Sequence, residues 1–182
     1  MARCIRLSGR HSVRLRRTTS ALRRAEGQSL IEFAILMPIL LVLFLGIVEA
    51  ATAYDRQHTL EGLSREGANI ASRGAELDEV VDLMVESGSI IGLEDRGGAI
   101  VSRLRVGDGL AEIVGQEATT GYLGQSQLGT LGEFAADFDG YGMVEGSNLH
   151  VVELFYSYDP FTPLGSFVVG AIPQGLYSRA VF

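Results

Sequence analysis

The sequence contains no lysine, a single cysteine, and no proline between Pro38 and Pro160. The lone thiol, Cys4, cannot close a disulfide within the chain or build a cysteine-based zinc site. Stability must therefore come from packing, membrane attachment or partners. Three histidines (His11, His58 and His150) are scattered, and no HExxH, Walker A, GxSxG or GxGxxG pattern occurs. The stretch Gly124-Gln-Ser-Gln-Leu-Gly129 misses the nucleophile-elbow spacing by one residue. His150, on an alternating strand pattern, reads as a packed or surface residue rather than a base. The acids of Asp137–Glu145 fall out of register with a calcium loop, and the stretch reads as a Gly-rich acidic turn. The expectation is a non-enzyme with no catalytic residues, no cofactor and no metal.

All 15 basic residues are Arg, and they are unevenly placed. Residues 1–26 hold eight Arg and one acid, Glu26, whereas residues 54–182 hold seven Arg and 19 acids. The net charge of −7 thus averages a +7 arm, a nearly uncharged stretch and a −12 remainder. That layout excludes a single soluble globule. No aromatic residue interleaves the arginines of the arm, and an apolar block follows it directly. Nucleic acid is not an expected partner.

The apolar block, residues 33–48, reads FAILMPILLVLFLGIV, 16 residues without a charge. With residues 29–32 and 49–53 it makes 25 residues containing two acids, Glu32 and Glu49. A helix needs about 20 apolar residues to cross a bilayer, so the segment is long enough. The arginine arm keeps the N-terminus cytoplasmic by the positive-inside rule and exports residue 54 onward, a single pass through the inner membrane. An acid at the centre of such a helix costs about 2.5–3.5 kcal/mol. Glu49, at the outer end, is expected to reach the headgroups. Glu32, flanked by Leu30, Ile31 and Phe33, is harder to dismiss. Pro38 removes one helical hydrogen bond and predicts a kink within the span.

The residues around Glu32 carry a resemblance. Gly27 is followed five residues later by Glu32-Phe33 at the opening of the apolar helix, which looks like a type IV prepilin processing site. The stretch GQSLIEFAILMPILLVLFLGIVEAATAY resembles the start of TadE-like proteins, pseudopilin-like components of the tight-adherence (Flp) pilus machinery. Gly27, Glu32-Phe33-Ala34, Pro38, Gly46 and Glu49 fall where that family's pattern puts them, and the resemblance covers residues 27–73 well and 149–182 loosely. It implies cleavage between Gly27 and Gln28 by a prepilin peptidase. It also implies docking of the helix through Glu32 and Phe33, with other pilus assembly proteins as partners through the apolar face. On this reading Glu32 neutralises the new amine of a neighbouring subunit, since a charge too costly to bury alone is buried as a pair. Two other fates stay open. The leader can remain as an uncut signal anchor, or signal peptidase can cut after Ala51-Thr52-Ala53 and release a soluble protein. The runner-up reading is a signal-anchored or signal-peptidase-released exported binding protein or enzyme unrelated to pili.

Beyond the span, the absence of proline lets the helix continue through 54–73 to a stop near Gly74. Gly62 and Gly67 each weaken it by about 1 kcal/mol relative to Ala. Leu77, Val80, Val81, Met84 and Val85 recur at helical spacing, so 76–87 is an amphipathic helix with an acidic outer face. Residues 100–106 and 150–158 alternate as half-buried strands, Leu110–Val114 pairs back across Gly107-Asp108-Gly109, and Leu176–Phe182 is a closing strand. Ten of the 40 residues in 107–146 are Gly, which predicts a long loop region. The expected organisation is a basic cytoplasmic leader (1–27), a transmembrane helix (28–53), a helical stalk (54–73) and an exported head (74–182). The fold class is α+β: a long helix, then a small antiparallel sheet with at least one packed helix.

Overall fold

A computed structural model of the chain describes residues 18–139, 144–160, 162 and 175–182. The chain divides into two units, Met1–Phe44 and Leu45–Phe182. The helix α1, Thr18–Ser72, supplies the apolar segment of the first unit and opens the second. From Gly27 onward it is long and apolar enough to cross a membrane. It ends where expected: Gly74 takes a positive φ of 94°, and the amides of Arg73 and Gly74 bond the carbonyls of Ile70 and Ala71.

In the second unit α1 is followed by α2 (Leu77–Ser87), a 3-10 turn (Gly88–Ile91), a short α3 (Leu93–Arg96) and five strands. The strands are β1 (Gly97–Gly107), β2 (Leu110–Ala118), β3 (Phe134–Asp139), β4 (Asn148–Ser157) and β5 (Gly175–Val181). They form one antiparallel sheet in the order β3-β2-β1-β4-β5. The architecture is the α+β head expected from the sequence, with a packed helix and a closing strand.

Three details differ from expectation, each for a physical reason. The strands β1 and β4 are buried on both faces over much of their length, because they lie at the middle of the sheet. Strict alternation was the sign of a half-buried strand, yet Val101 and Glu153 here occupy buried positions rather than solvent-facing ones. The region 107–146 is loop only in part. The Asp108-Gly109 turn, with φ of 51° and 75°, closes a β1–β2 hairpin by the positive-φ geometry such two-residue turns need. It leads into a longer β2 than expected, and β3 follows. Lastly, the helical extension 54–73 is part of the head's core rather than free-standing. Ala53, Leu60, Ser64, Ala68 and Ala71 repeat at helical spacing and are all buried.

The core has two layers. On one face of the sheet, α1 and α2 pack over Ala99, Val101, Val152, Leu154, Leu176 and Ala180. The anchors of α2 are Leu77, Val80, Val81 and Met84, as their spacing predicts. Each such side chain contributes roughly 1.5–3 kcal/mol when fully buried. Close approach of the helices needs Gly67, where a Cβ would stand 2.6 Å from the Met84 sulfur. On the other face Leu128, carried by the segment 119–133, closes over Leu104, Ala111, Ile113, Ala135 and Val151.

Candidate functional site

In the first unit, Gly27, Gln28, Glu32, Phe33 and Pro38 all lie on α1, whereas Cys4 and His11 lie outside the described residues. Apart from its chain neighbours and the helix's own backbone, nothing lies within 4 Å of the position a Cβ on Gly27 would take. The Gln28 side-chain amide donates to Glu32 Oε1 at 3.1 Å, one helical turn along. Phe33 is exposed, and so are Leu30, Ile31, Ile35, Leu36 and the apolar residues that follow to Phe44. The helix passes through Pro38 without interruption, so the Ala34 carbonyl lacks its usual amide donor four residues on. An apolar groove runs beside Pro38, lined by Ile39, Val42 and Leu43. Such a face, apolar all round and uncovered, is stable in lipid or against other helices, not in water.

In the second unit, Glu49 behaves differently from expectation. It is only 1% exposed. The Tyr158 hydroxyl donates to Glu49 Oε1 at 2.6 Å, and the Thr162 amide donates to Oε2 at 2.9 Å. The carboxylate is therefore held inside the head rather than extended to headgroups, because donors from the chain beyond β4 replace its water. Burial pushes the Tyr158 hydroxyl up to about 12, reinforced by its hydrogen bond to Glu49 and by that carboxylate's charge.

A second buried carboxylate went unnoticed in the sequence. Glu153, in the middle of β4, is fully buried. It accepts hydrogen bonds from the Ser126 hydroxyl, the Gln127 amide (3.0 Å) and the Tyr177 hydroxyl (2.8 Å). Burial first, and then the bond to Glu153, raise the Tyr177 hydroxyl well above the usual tyrosine range. Ser126, the residue inside the near-elbow motif, thus serves as a structural donor. The Tyr122 ring stacks on Phe155 with centroids 5.7 Å apart, and the Tyr177 ring meets Phe155 at a tilt, 5.1 Å away. They line an open cleft of about 400 Å³ together with Arg96 and Gln127. The signal in the sequence was one acid inside the apolar run Val151-Val152-Glu153-Leu154-Phe155.

His150 is packed, as its strand position suggested. Its Nε2 accepts from Arg103 Nε at 3.3 Å, and its Nδ1 has no partner among the described residues. Burial, and then the nearby guanidinium, hold its pKa below the ordinary histidine value. No group of three or more His, Cys, Asp or Glu gathers among the described residues. Residues 140–143 of the acidic stretch 137–145 lie outside them.

Residues 27–69 match the family model of TadE-like protein. The TadE-like segment begins at Gly27 and takes in Gln28, Glu32, Phe33, Pro38 and Glu49, the residues on which the resemblance rested. It runs through the part of α1 that packs in the head and stops before α2. No curated protein and no solved structure matches the chain. A TadE-like segment on an exposed apolar helix points to a pilus-associated protein of the Tad system, with one candidate membrane span among the described residues.

Proposed function

We propose that the chain is a non-enzymatic, single-pass pseudopilin-like or minor-pilin-like component of the Flp pilus assembly or secretion machinery. The observation that carries this reading is the TadE-like match over residues 27–69, which takes in Glu32 and Phe33 on the exposed apolar part of α1. The arginine arm stays in the cytoplasm, the helix crosses the inner membrane and the acidic head is exported. A prepilin peptidase cuts after Gly27, and the new amine of Gln28 pairs with a Glu32 carboxylate of a neighbouring helix. The apolar face of α1 then packs against other assembly proteins. Release at Ala53 fits less well, since Ala53 is buried in the head and Glu49, just before it, is enclosed by Tyr158 and Thr162.

Two measurements test this. N-terminal sequencing of the protein recovered from membranes should begin at Gln28; a start at residue 1 or at Tyr54 assigns one of the other fates. Glu32→Ala should abolish or sharply reduce piliation while the protein still fractionates with membranes. Unchanged piliation removes the docking role of Glu32.

A further inference from the structure

We infer that Gln28, once it becomes the first residue, is a self-modification site: its α-amine closes on its own side-chain amide to give pyroglutamate. The Glu32 carboxylate of a neighbouring helix protects the amine from this reaction. The inference rests on the reading of Gly27-Gln28 as the processing site and adds a fate for the terminus that cleavage creates.

The reaction needs no co-reactant. The lone pair of the α-nitrogen attacks Cδ of Gln28, and the C–N bond of a five-membered lactam forms. The Cδ–Nε2 bond breaks, and Nε2 leaves as ammonia with a proton taken from the α-nitrogen. Nothing is oxidised or reduced. An α-amine titrates at about pH 7.7–8.0, so roughly a tenth of it is unprotonated and nucleophilic at neutral pH.

The uncut helix forbids the step and the cut one permits it. In the whole chain Gln28 lies inside α1, its nitrogen is a peptide amide, and its side chain runs one turn forward to Glu32 Oε1 at 3.1 Å. Closing the ring swings Cδ back to the residue's own nitrogen, toward the preceding turn, a direction that helical side chains avoid. Cleavage after Gly27 removes that turn and frees the nitrogen together. What then holds the side chain is its bond to Glu32. Both residues are exposed, and a side-chain bond across one turn of an exposed helix shifts populations only about twofold. The amide therefore spends much of its time unheld.

Glu32 has two competing donors. Within its own chain it takes the Gln28 amide; in an assembly it takes a neighbour's ammonium. An opposite charge at that distance keeps the amine in its charged form, and an ammonium has no lone pair with which to attack. Docked chains keep their amine. An undocked chain loses it, and the lactam at residue 28 then offers no charge to a neighbour's Glu32, which is too costly to bury alone. Cyclisation thus retires chains that fail to dock.

The absence of lysine makes the amine countable, because after cleavage it is the sole primary amine of the chain. The test uses the full chain, processed in cells, purified in detergent and incubated at neutral pH. Intact mass and labelling by an amine-reactive dye are followed together. Dispersed wild-type chains should lose the mass of one ammonia while labelling falls in proportion; Gln28→Met, which has no amide, should keep both. In vesicles at high protein density the wild type should cyclise on the order of tenfold more slowly than Glu32→Ala. Equal rates there overturn the protection by Glu32. A mature chain that starts at Gln28 and keeps its mass and label sinks cyclisation and leaves the cleavage standing. A start at residue 1 or at Tyr54 removes the processing site, and the inference with it. A gain of mass at the terminus in place of the loss assigns a different cap and also overturns cyclisation.

Discussion

At the scale of single residues, the two buried glutamates show how little a charge in an apolar run says about its fate. Glu49 and Glu153 were both visible as acids among aliphatics, but nothing beside them in the chain supplies their donors. Those come from Tyr158 and Thr162 in one case and from Ser126, Gln127 and Tyr177 in the other. Hydrogen bonds to a buried charge are worth about 1.5–3 kcal/mol. Tyr158→Phe should therefore lower the unfolding free energy of the detergent-solubilised chain by about that amount, read by chemical denaturation. The raised pKa of Tyr158 has a definite sign. Its neutral form is favoured by folding, so its contribution is fully present below the ordinary tyrosine value near 10. It is lost as pH climbs through about 12. An absorbance titration should find Tyr158 ionising together with alkaline unfolding, and Tyr158→Phe should remove that part of the pH dependence.

At the scale of elements, period was a good guide and pairing was not. The stripe Leu77, Val80, Val81 and Met84 located α2, and the alternation of 150–158 located β4, because both patterns are local. That β4 inserts beside β1, placing both at the middle of the sheet, depends on partners distant in sequence and left no local mark. The short β3, within a Gly-rich stretch, was missed for the same reason. The glycines of α1 looked alike in sequence but differ in place. Gly62 has no neighbour within 4 Å of a would-be Cβ, whereas Gly67 faces buried Met84. Gly62→Ala should stabilise the head by about 0.5–1 kcal/mol. Gly67→Ala should destabilise it, since displacing a packed core side chain costs typically about 1–3 kcal/mol. Thermal unfolding of the two variants side by side should move in opposite directions. Equal stabilisation would mean that Met84 moves aside freely.

At the scale of the whole molecule, the helix entrance was legible because its pattern is contiguous: Gly27, Glu32, Phe33 and the apolar run stand in one stretch. The head's interior was not, because its closure depends on β5. That strand supplies Leu176, Ser178 and Ala180 to the layer beneath α1, and the Ser178 hydroxyl meets that of Ser64 at 2.8 Å, 114 residues away in sequence. Gln57 on α1 also donates to the Tyr177 carbonyl at 3.0 Å. Deleting residues 175–182 should leave a membrane-bound chain whose head is rapidly digested under limited proteolysis that spares the intact protein. If the head is exported as proposed, this architecture fixes a schedule. The helix that must receive the closing strand emerges early and waits, its small-residue stripe uncovered, until more than a hundred further residues have followed it. Rapid translocation, or a holding chaperone on the far side, would therefore shield that stripe for the whole interval.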